Sequence, residues 1–185
     1  MKPSAQYISD AERRNLIQIA RRSIEGYLAT GAAPEFTASQ FLKEPGAAFV
    51  TLKKSGELRG CIGYTEAIRP LYLTVSQCAI HAAVEDPRFN PVQTSELPFI
   101  DIEISVLTPL QQVESLDSIR VGQDGLLIRM GRRSGLLLPQ VATELGWNRT
   151  QFLEHTCQKA GLPDDSYSRP EATLYRFQAE VFREE

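Results

Sequence analysis

Hydrophobic and polar positions along this chain follow two different periods, which predict helices and strands in turn. Near the N-terminus, apolar residues recur at helical spacing: Leu16, Ile17, Ala20, Ile24 and Leu28. Ser9 and Glu12 have the spacing of a capping box, and Gly31 is typical of the residue that follows a helix. The pattern therefore predicts an amphipathic helix over residues 10–29, followed by a loop over residues 30–45.

A period of two residues marks the strands. It is cleanest in Phe99–Leu107, where isoleucine and valine alternate with polar residues. The same pattern predicts strands in Ala47–Lys53, Leu58–Tyr64, Leu126–Met130, Leu136–Leu138 and Tyr175–Val181. Turns that contain glycine separate the first two of these segments and the next two, so we expect two β-hairpins.

Two further helices are predicted between and after these strands. Ile68–Glu85 has an apolar stripe and stops at Asp86-Pro87, because a residue before proline is biased away from the α-helical region. Thr150 is placed to cap a helix that runs to Ala160, with Gly161 following it. Because the strands come in hairpins and the helices are grouped beside them, we expect an α+β fold with largely antiparallel strands.

The composition suits one globular domain over residues 1–185. With 42% hydrophobic residues, the chain can bury a core without disulfides or metals. The net charge is −3 with both signs interspersed, so the sequence lacks the basic stripe of nucleic-acid-binding proteins. Apolar runs such as Gly135–Pro139 are too short to span a bilayer, and residues 1–7 contain no apolar signal core.

Cysteine usage indicates a reducing compartment. The three cysteines are widely spaced and odd in number, which argues against a disulfide framework and against a cysteine-based metal site: Cys61, Cys78 and Cys157. No dinucleotide or P-loop motif is present, so we expect no cofactor and no metal. We therefore expect a cytoplasmic protein.

The segment Arg59–Gly63 carries the clearest candidate chemistry. If it is a regular strand, Leu58, Ile62 and Tyr64 share one face, while Arg59 and Cys61 share the other, where the guanidinium favours a thiolate. Glycine in a strand often marks the close approach of a ligand, so Gly60 and Gly63 are candidate substrate-binding positions. Equally, a free cysteine is often inert packing, and the glycines could serve a bulge or a tight helix contact.

The remaining candidates are weaker individually. Cys78 and Cys157 lie on apolar helical stripes and are expected in the core. His81 and Glu85 are one helical turn apart but lack a third metal ligand. His155 is a candidate base for Cys61.

Charged residues at two further places have alternative interpretations. In Glu85–Phe89, a solvated helix cap is favoured over the presentation of Arg88 to an anion. The Arg132-Arg133 pair lies at a predicted hairpin tip and is interpreted as a solvated turn rather than a binding site.

Several motifs in order resemble the AMMECR family, whose prokaryotic members are the protein A components of AmmeMemoRadiSam systems. The similar segments are Leu58–Gly63, Glu85–Phe89, Ile102–Pro109, Gly125–Ile128, Gly135–Ala142, Glu144–Trp147, Phe152-Leu153, Cys157 and Lys159–Pro163. They cover nearly the whole chain. Tyr64 departs from the family pattern, in which a smaller residue such as threonine is expected, and this would narrow the space beside Gly63.

The resemblance implies an α+β fold of two unequal lobes with a cleft, and action beside a Memo-like protein and a radical SAM enzyme. It implies a functional centre at Arg59–Gly63. On the matched motifs, the candidate substrate-binding residues also include Glu85, Arg88, Gln140 and Glu144. Two functions remain open. One is an enzyme or enzyme component that uses Cys61 on an unknown small molecule, in which Arg59 lowers the thiol pKa or holds an anionic substrate group and Glu85 or Glu144 orients His155. The other is a non-catalytic accessory protein that binds a partner or small molecule. Nucleic-acid binding is a third hypothesis, against which the acidic pI of about 5.5 counts.

Overall fold

The computed structural model describes residues 8–184, whose helices and strands group into two compact units. The first unit contains the residues up to Leu107 and the C-terminal residues from Glu180, and the second contains Thr108–Ala179. Each unit has its own four-stranded sheet and its own buried apolar cluster. Residues 1–7, in which the sequence predicts no signal core, lie outside the described part.

The structure has these strands and helices in chain order. The strands are β1 (Ala47–Lys54), β2 (Glu57–Tyr64), β3 (Ile100–Leu107), β4 (Gln111–Gln112), β5 (Gly125–Met130), β6 (Arg133–Leu137), β7 (Ala172–Phe177) and β8 (Ala179–Arg183). The helices are α1 (Asp10–Thr30), α2 (Gln40–Lys43), α3 (Leu71–Val84), α4 (Pro139–Glu144) and α5 (Arg149–Lys159). Short 3-10 helices lie at Thr94–Phe99, Leu116–Ser118 and Ser166–Ser168.

The first unit packs α1 and α3 with a sheet of order β2-β1-β3-β8. Strand β1 pairs antiparallel with both β2 and β3, and its residues Ala48, Val50 and Leu52 are fully buried in the core cluster. The predicted stripe of α3 is buried in the same cluster, and burying each large aliphatic side chain contributes about 1.5–3 kcal/mol. The opposite face of β1 carries Phe49, Thr51 and Lys53.

The second unit is built from an antiparallel sheet of order β4-β7-β5-β6, against which α5 packs. Leu126 and Ile128 of β5 and Phe152 of α5 are fully buried in its core. Helix α4 begins at Pro139, where a proline fits the first helical turn because it has no N–H to leave unpaired.

The α+β class and the antiparallel pairing are confirmed, and so is the capping box of α1. Ser9 accepts from the backbone N–H of Glu12, the Glu12 side chain accepts from the N–H of Ser9, and Gly31 ends the helix with a φ of 79°. Local sequence determined this element because both caps lie within a few residues of the helix they close.

Two predicted helix starts and one predicted loop are wrong. Helix α3 begins at Leu71 rather than Ile68, since Pro70 restricts the residue before it. Helix α5 is capped by Asn148 rather than Thr150, because Asn148 and Gln151 form a reciprocal capping box. In residues 30–45, which were expected to be a loop, Ser39 caps the short helix α2.

The single predicted C-terminal strand is two strands in two sheets. Strand β7 ends at Phe177, and β8 begins at Ala179 in the sheet of the first unit. Between them, the backbone of Gln178 makes two hydrogen bonds with Thr108: its carbonyl accepts from the Thr108 N–H at 2.8 Å, and its N–H donates to the Thr108 side-chain hydroxyl at 2.8 Å. Apolar and polar residues alternate without interruption from β7 into β8, although the two strands pair with different neighbours. The sequence pattern therefore does not show where β7 ends.

Candidate functional site around Cys61

Strand β2 contains a β-bulge immediately before Cys61. Lys53 pairs with Leu58 and Leu52 pairs with Gly60, so Arg59 is an extra residue without a counterpart on β1. The bulge shifts the alternation by one position, and Leu58 falls on the other side of the sheet from Ile62 and Tyr64. The predicted sharing of one face by Arg59 and Cys61 is therefore wrong, because it assumed an unbroken strand.

Arg59 is held by Glu96 from the 3-10 helix. Its Nε and Nη2 donate to the two oxygens of Glu96 at 3.2 and 3.0 Å, and Lys54 Nζ donates to the same carboxylate at 2.9 Å. Hydrogen bonds from Arg59, then from Lys54 and from the Gln93 N–H, lower the pKa of Glu96 to about 2. We call Lys54, Arg59 and Glu96 the bulge cluster.

The two glycines of the segment do not border open space. A Cβ on Gly60 would lie 2.1 Å from the carbonyl oxygen of Ala82, so the absence of a side chain lets β2 approach the backbone of α3. A Cβ on Gly63 would lie 2.2 Å from the Phe49 ring, which covers that position. The alternative of a tight helix contact therefore holds for Gly60, and a substrate-binding role of the two glycines stays a prediction.

Cys61 itself is half-buried, opposite Thr51 on β1. The Thr51 hydroxyl donates a hydrogen bond to Cys61 Sγ at 3.2 Å. The Cys61 backbone N–H donates to Asp86 Oδ2 at 2.9 Å. A hydroxyl that donates to sulfur stabilises a thiolate more than a thiol, so the local arrangement suits a nucleophile.

Asp86 joins this strand to the end of α3. Its carboxylate, only 4% exposed, accepts from the N–H of Cys61, the N–H of Arg88 at 3.1 Å, and Arg88 Nε and Nη2 at 2.9 and 2.7 Å. The Arg88 side chain, with the backbone N–H groups of Cys61 and Arg88, holds the pKa of Asp86 well below its usual range in spite of the burial. We call Cys61, Asp86 and Arg88 the thiol cluster.

Arg88 brings a partly exposed cation to the strand. Its side chain is 51% exposed, its Nη2 lies 3.5 Å from the Cys61 carbonyl oxygen, and its guanidinium lies 5.5 Å from the centre of the Phe89 ring. The hydrogen bonds to Asp86 raise the pKa of Arg88, which keeps it charged. Arg88 thus closes the helix end, as the favoured interpretation of this segment had it, and also leaves part of its guanidinium accessible to an anion.

The neighbouring candidates on α3 face a different set of partners. His81 Nδ1 lies 3.2 Å from the Tyr64 hydroxyl, and its Nε2 lies 3.7 Å from Glu85. Glu85 is exposed and lies beside His81, whereas Asp86 is the residue at this helix end that binds Cys61. Among the described residues, no group of histidine, cysteine and carboxylate side chains has the arrangement of a metal site.

Three candidates belong to the second unit: His155, Gln140 and Glu144. The His155 ring stacks on Trp147 at a centroid distance of 3.9 Å, and its Nδ1 lies 2.9 Å from Gln158 Oε1. Gln140 is half-buried and Glu144 is exposed, both on α4. A base role for His155 and substrate contacts for Gln140 and Glu144 stay predictions.

The other two cysteines are core residues, as expected. Cys78 and Cys157 are fully buried. Burial raises the pKa of Cys78 to about 12, and it also raises the pKa of Cys157. Both therefore remain protonated at neutral pH, and Cys61 alone among the three cysteines combines partial exposure with a donor to its sulfur.

Sequence reasoning missed Asp86, Thr51 and Glu96 as members of the site. For Asp86 the sequence offered a signal, because Asp86 lies just after the apolar end of α3 and could be buried with it. A buried carboxylate needs a hydrogen-bonding or charged partner. Thr51 and Glu96 had none, since their contacts depend on strand register and on a distant 3-10 helix.

Two antiparallel sheets with packed helices, and a cysteine set beside a buried aspartate and an arginine, define an α+β protein with a candidate thiol site. The sequence profile of the AMMECR1 family matches residues 17–182. A protein of Methanothermobacter thermautotrophicus is 49% identical over 187 residues, covering 96% of this chain and 97% of the relative. Protein MK0488 of Methanopyrus kandleri is 46% identical over 180 residues, covering 92% and 87%.

A solved structure has the same fold as this chain. The crystal structure of the uncharacterized protein PH0010 from Pyrococcus horikoshii matches with a TM-score of 0.88 and 43% identity, covering 92% of this chain and 90% of that one. This chain therefore belongs to the AMMECR1 family. The names of these relatives assign no activity. No helix among residues 8–184 is long and apolar enough to cross a membrane.

Proposed function

We propose that this chain is a cytoplasmic enzyme, or a component of one, that uses the Cys61 thiolate on a small anionic molecule. Arg88, rather than Arg59, is the cation that binds the anionic group. One observation carries the proposal: the buried Asp86 carboxylate binds both the backbone of Cys61 and the guanidinium of Arg88. The thiol and the cation are therefore fixed by the same side chain.

In this arrangement each residue has a separate task. Thr51 donates to the sulfur and stabilises the thiolate before it attacks. Asp86 orients Arg88 through two parallel hydrogen bonds, a geometry that restricts the guanidinium to one plane. Arg59 acts at a distance by stabilising the bulge that sets Cys61 opposite Thr51.

The family resemblance also implies partner proteins for this reaction. We propose that a Memo-like protein and a radical SAM enzyme are partners of the chain. A second function, that of a non-catalytic accessory protein, uses the same surface to bind a partner or a small molecule. It is favoured by the half-buried state of Cys61, which restricts access to the sulfur.

Alkylation of the folded protein by a matched pair of reagents tests the proposal. Iodoacetate is anionic and iodoacetamide is neutral, and both replace iodide with a sulfur–carbon bond. We expect Cys61 to be modified first, with iodoacetate favoured over iodoacetamide relative to a free thiol, as read by mass spectrometry of each cysteine. Arg88→Gln should lower the iodoacetate-to-iodoacetamide rate ratio about threefold or more, because local positive potential concentrates anions.

Two controls separate the possible causes. Arg14→Gln removes an exposed arginine of α1 and should leave the ratio unchanged. Thr51→Val should slow both reagents equally, because it acts on the sulfur and not on the reagent's charge. The thiolate function is contradicted if Cys61 is unreactive in the folded protein. It is also contradicted if Arg88→Gln leaves the iodoacetate-to-iodoacetamide rate ratio unchanged.

The accessory function is tested with the proposed partners. If Cys61→Ser retains full function in a reconstituted system with the Memo-like and radical SAM proteins, the thiol is dispensable and the chain acts by binding. If function is lost while co-elution with the partners persists, the thiol is chemically required.

A further inference from the structure

A group of arginines in the second unit lies outside the Cys61 site. Strands β5 and β6 are joined by the two-residue turn Gly131-Arg132, in which Gly131 has a φ of 60°, as a tight hairpin turn of this type requires. Arg133 follows directly as the first residue of β6. Arg169 comes to the same place from the end of the 3-10 helix at Ser166–Ser168.

These three arginines line one groove of about 520 Å³. Met130 and the buried Leu162 supply an apolar surface, and Glu171 is the carboxylate in the lining. This volume lies within the range of small-molecule sites, which combine apolar walls with a few polar groups. The groove therefore combines an apolar wall with three exposed arginines.

Two of the guanidinium groups are already oriented. Arg133 Nη1 donates to the carbonyl oxygen of Gly161 at 2.7 Å, a neutral partner that leaves the positive charge uncompensated. Arg169 Nη2 donates to Asp165 at 2.9 Å. Counting Asp165 and Glu171 against the three arginines leaves a charge of +1 at the groove, on a chain whose net charge is −3.

We propose that this groove binds a small phosphate ester. Guanidinium groups match phosphate oxygens with paired hydrogen bonds, and they also stack on flat organic groups. A phosphate monoester carries about −1.5 to −2 charge at neutral pH, so it is held more strongly here than a monocarboxylate. Met130 and Leu162 contact the organic part of the ligand.

The groove favours a small molecule over RNA. Nucleic-acid binding without sequence preference uses an extended basic surface with aromatic side chains along the strand. Here the arginines are confined to one hairpin tip and one adjacent loop, and the wall residues are aliphatic. An RNA ligand would have to approach a protein of net negative charge.

Titration calorimetry of the full chain at low ionic strength tests the site, with pyrophosphate and adenosine 5′-diphosphate as probes. Both carry a diphosphate, and only the second has an organic body. We expect both to bind, the nucleotide more tightly. Arg132→Gln and Arg169→Gln should each weaken binding about tenfold, the effect of losing one charge-assisted hydrogen bond. Arg14→Gln is the matched control and should have no effect.

Each outcome of the titrations either supports or overturns the phosphate-ester proposal. Partial recovery by Arg132→Lys would support a charge contact, and unchanged circular dichroism spectra would show that the variants fold. The proposal is overturned if millimolar pyrophosphate gives no saturable heat or if the groove variants bind normally. It is also overturned if citrate binds as tightly as pyrophosphate, or if a short RNA binds more tightly than the nucleotide. None of these outcomes depends on the reactivity of Cys61.

Discussion

Two arginines of the first unit each donate two hydrogen bonds to one carboxylate, yet they differ in exposure. Arg59 in the bulge cluster is 15% exposed, and its partner Glu96 also binds Lys54. Arg88 in the thiol cluster is 51% exposed, while its partner Asp86 has a side chain that is only 2% exposed. In the bulge cluster both side chains are largely covered, since Glu96 is 18% exposed, whereas in the thiol cluster only the carboxylate is covered.

This difference in exposure determines which arginine can contact a ligand. A guanidinium and a carboxylate that are both largely covered stabilise a strand irregularity. An accessible guanidinium with a buried carboxylate is held in place and still offers donors to solvent. Sequence proximity pointed to Arg59, two residues from Cys61, but the cation that is both anchored and accessible is Arg88, which lies 27 residues away in sequence.

The largest effect should follow from Asp86→Ala, which removes the centre of the thiol cluster. It leaves the Cys61 N–H and the Arg88 guanidinium without their acceptor, and we expect a loss of about 3 kcal/mol in the free energy of unfolding. Urea unfolding followed by circular dichroism measures it. Asp101→Ala, an exposed aspartate of β3, is the matched control and should change stability by about 0.5 kcal/mol or less.

A loss no larger than that of the control would remove the distinction between the clusters. The thiol cluster would then be a surface ion pair, and Arg88 would not be held in a fixed position beside Cys61.

Gly60 lies between the two clusters and tests how closely β2 must approach α3. In Gly60→Ala the new Cβ would lie 2.1 Å from a backbone oxygen, so the strand or the helix has to move. We expect a loss of about 2–3 kcal/mol, within the range for overpacking. Gly63→Ala meets the Phe49 side chain instead, which can rotate away, and should cost less.

Thermal unfolding of the two variants provides the comparison. Equal losses of stability in Gly60→Ala and Gly63→Ala would mean that the backbone at Ala82 moves aside as easily as the Phe49 ring. The tight contact would then not be what holds the Cys61 segment against the helix.

Local pattern predicted much of the fold, because the determining residues lie near one another in sequence. The capping box at Ser9 and Glu12 and the alternation of β3 are complete within a few residues. The bulge at Arg59 was beyond this reasoning, since a single extra residue is visible only against the register of β1. Its consequence was large, because the bulge places Arg59 beside Glu96 rather than on the same face of the strand as Cys61.

The candidate site shows the same limit. The sequence singled out Cys61 and Arg88 in separate segments, but nothing local states that Asp86 binds the Cys61 backbone across 25 positions. Burial of Asp86 could have been suspected from the adjacent Pro87 and the apolar end of α3, whereas the partner of a buried carboxylate is a property of the tertiary fold.

The smallest of these effects concerns the bulge cluster and depends on pH. Glu96 has a pKa of about 2 in the folded chain against 4.5 for the ordinary side chain. A lowered folded-state pKa means that the unfolded chain binds the proton more readily. The stabilisation from Glu96 is therefore fully present above about pH 4.5 and is lost as the pH falls toward 2.

Glu96→Gln removes this titration while keeping a hydrogen-bond acceptor for Arg59. We expect the variant to be about 1–2 kcal/mol less stable at pH 7, with the difference shrinking below pH 4.5 and vanishing near pH 2. Urea midpoints of the variant and the parent across this pH range measure the difference, and Asp86 remains as a common background in both. A difference that stays constant with pH would mean that the bulge is held by shape alone. The covered arginine would then contribute no charge interaction, and the contrast between the two clusters would rest on Arg88 only.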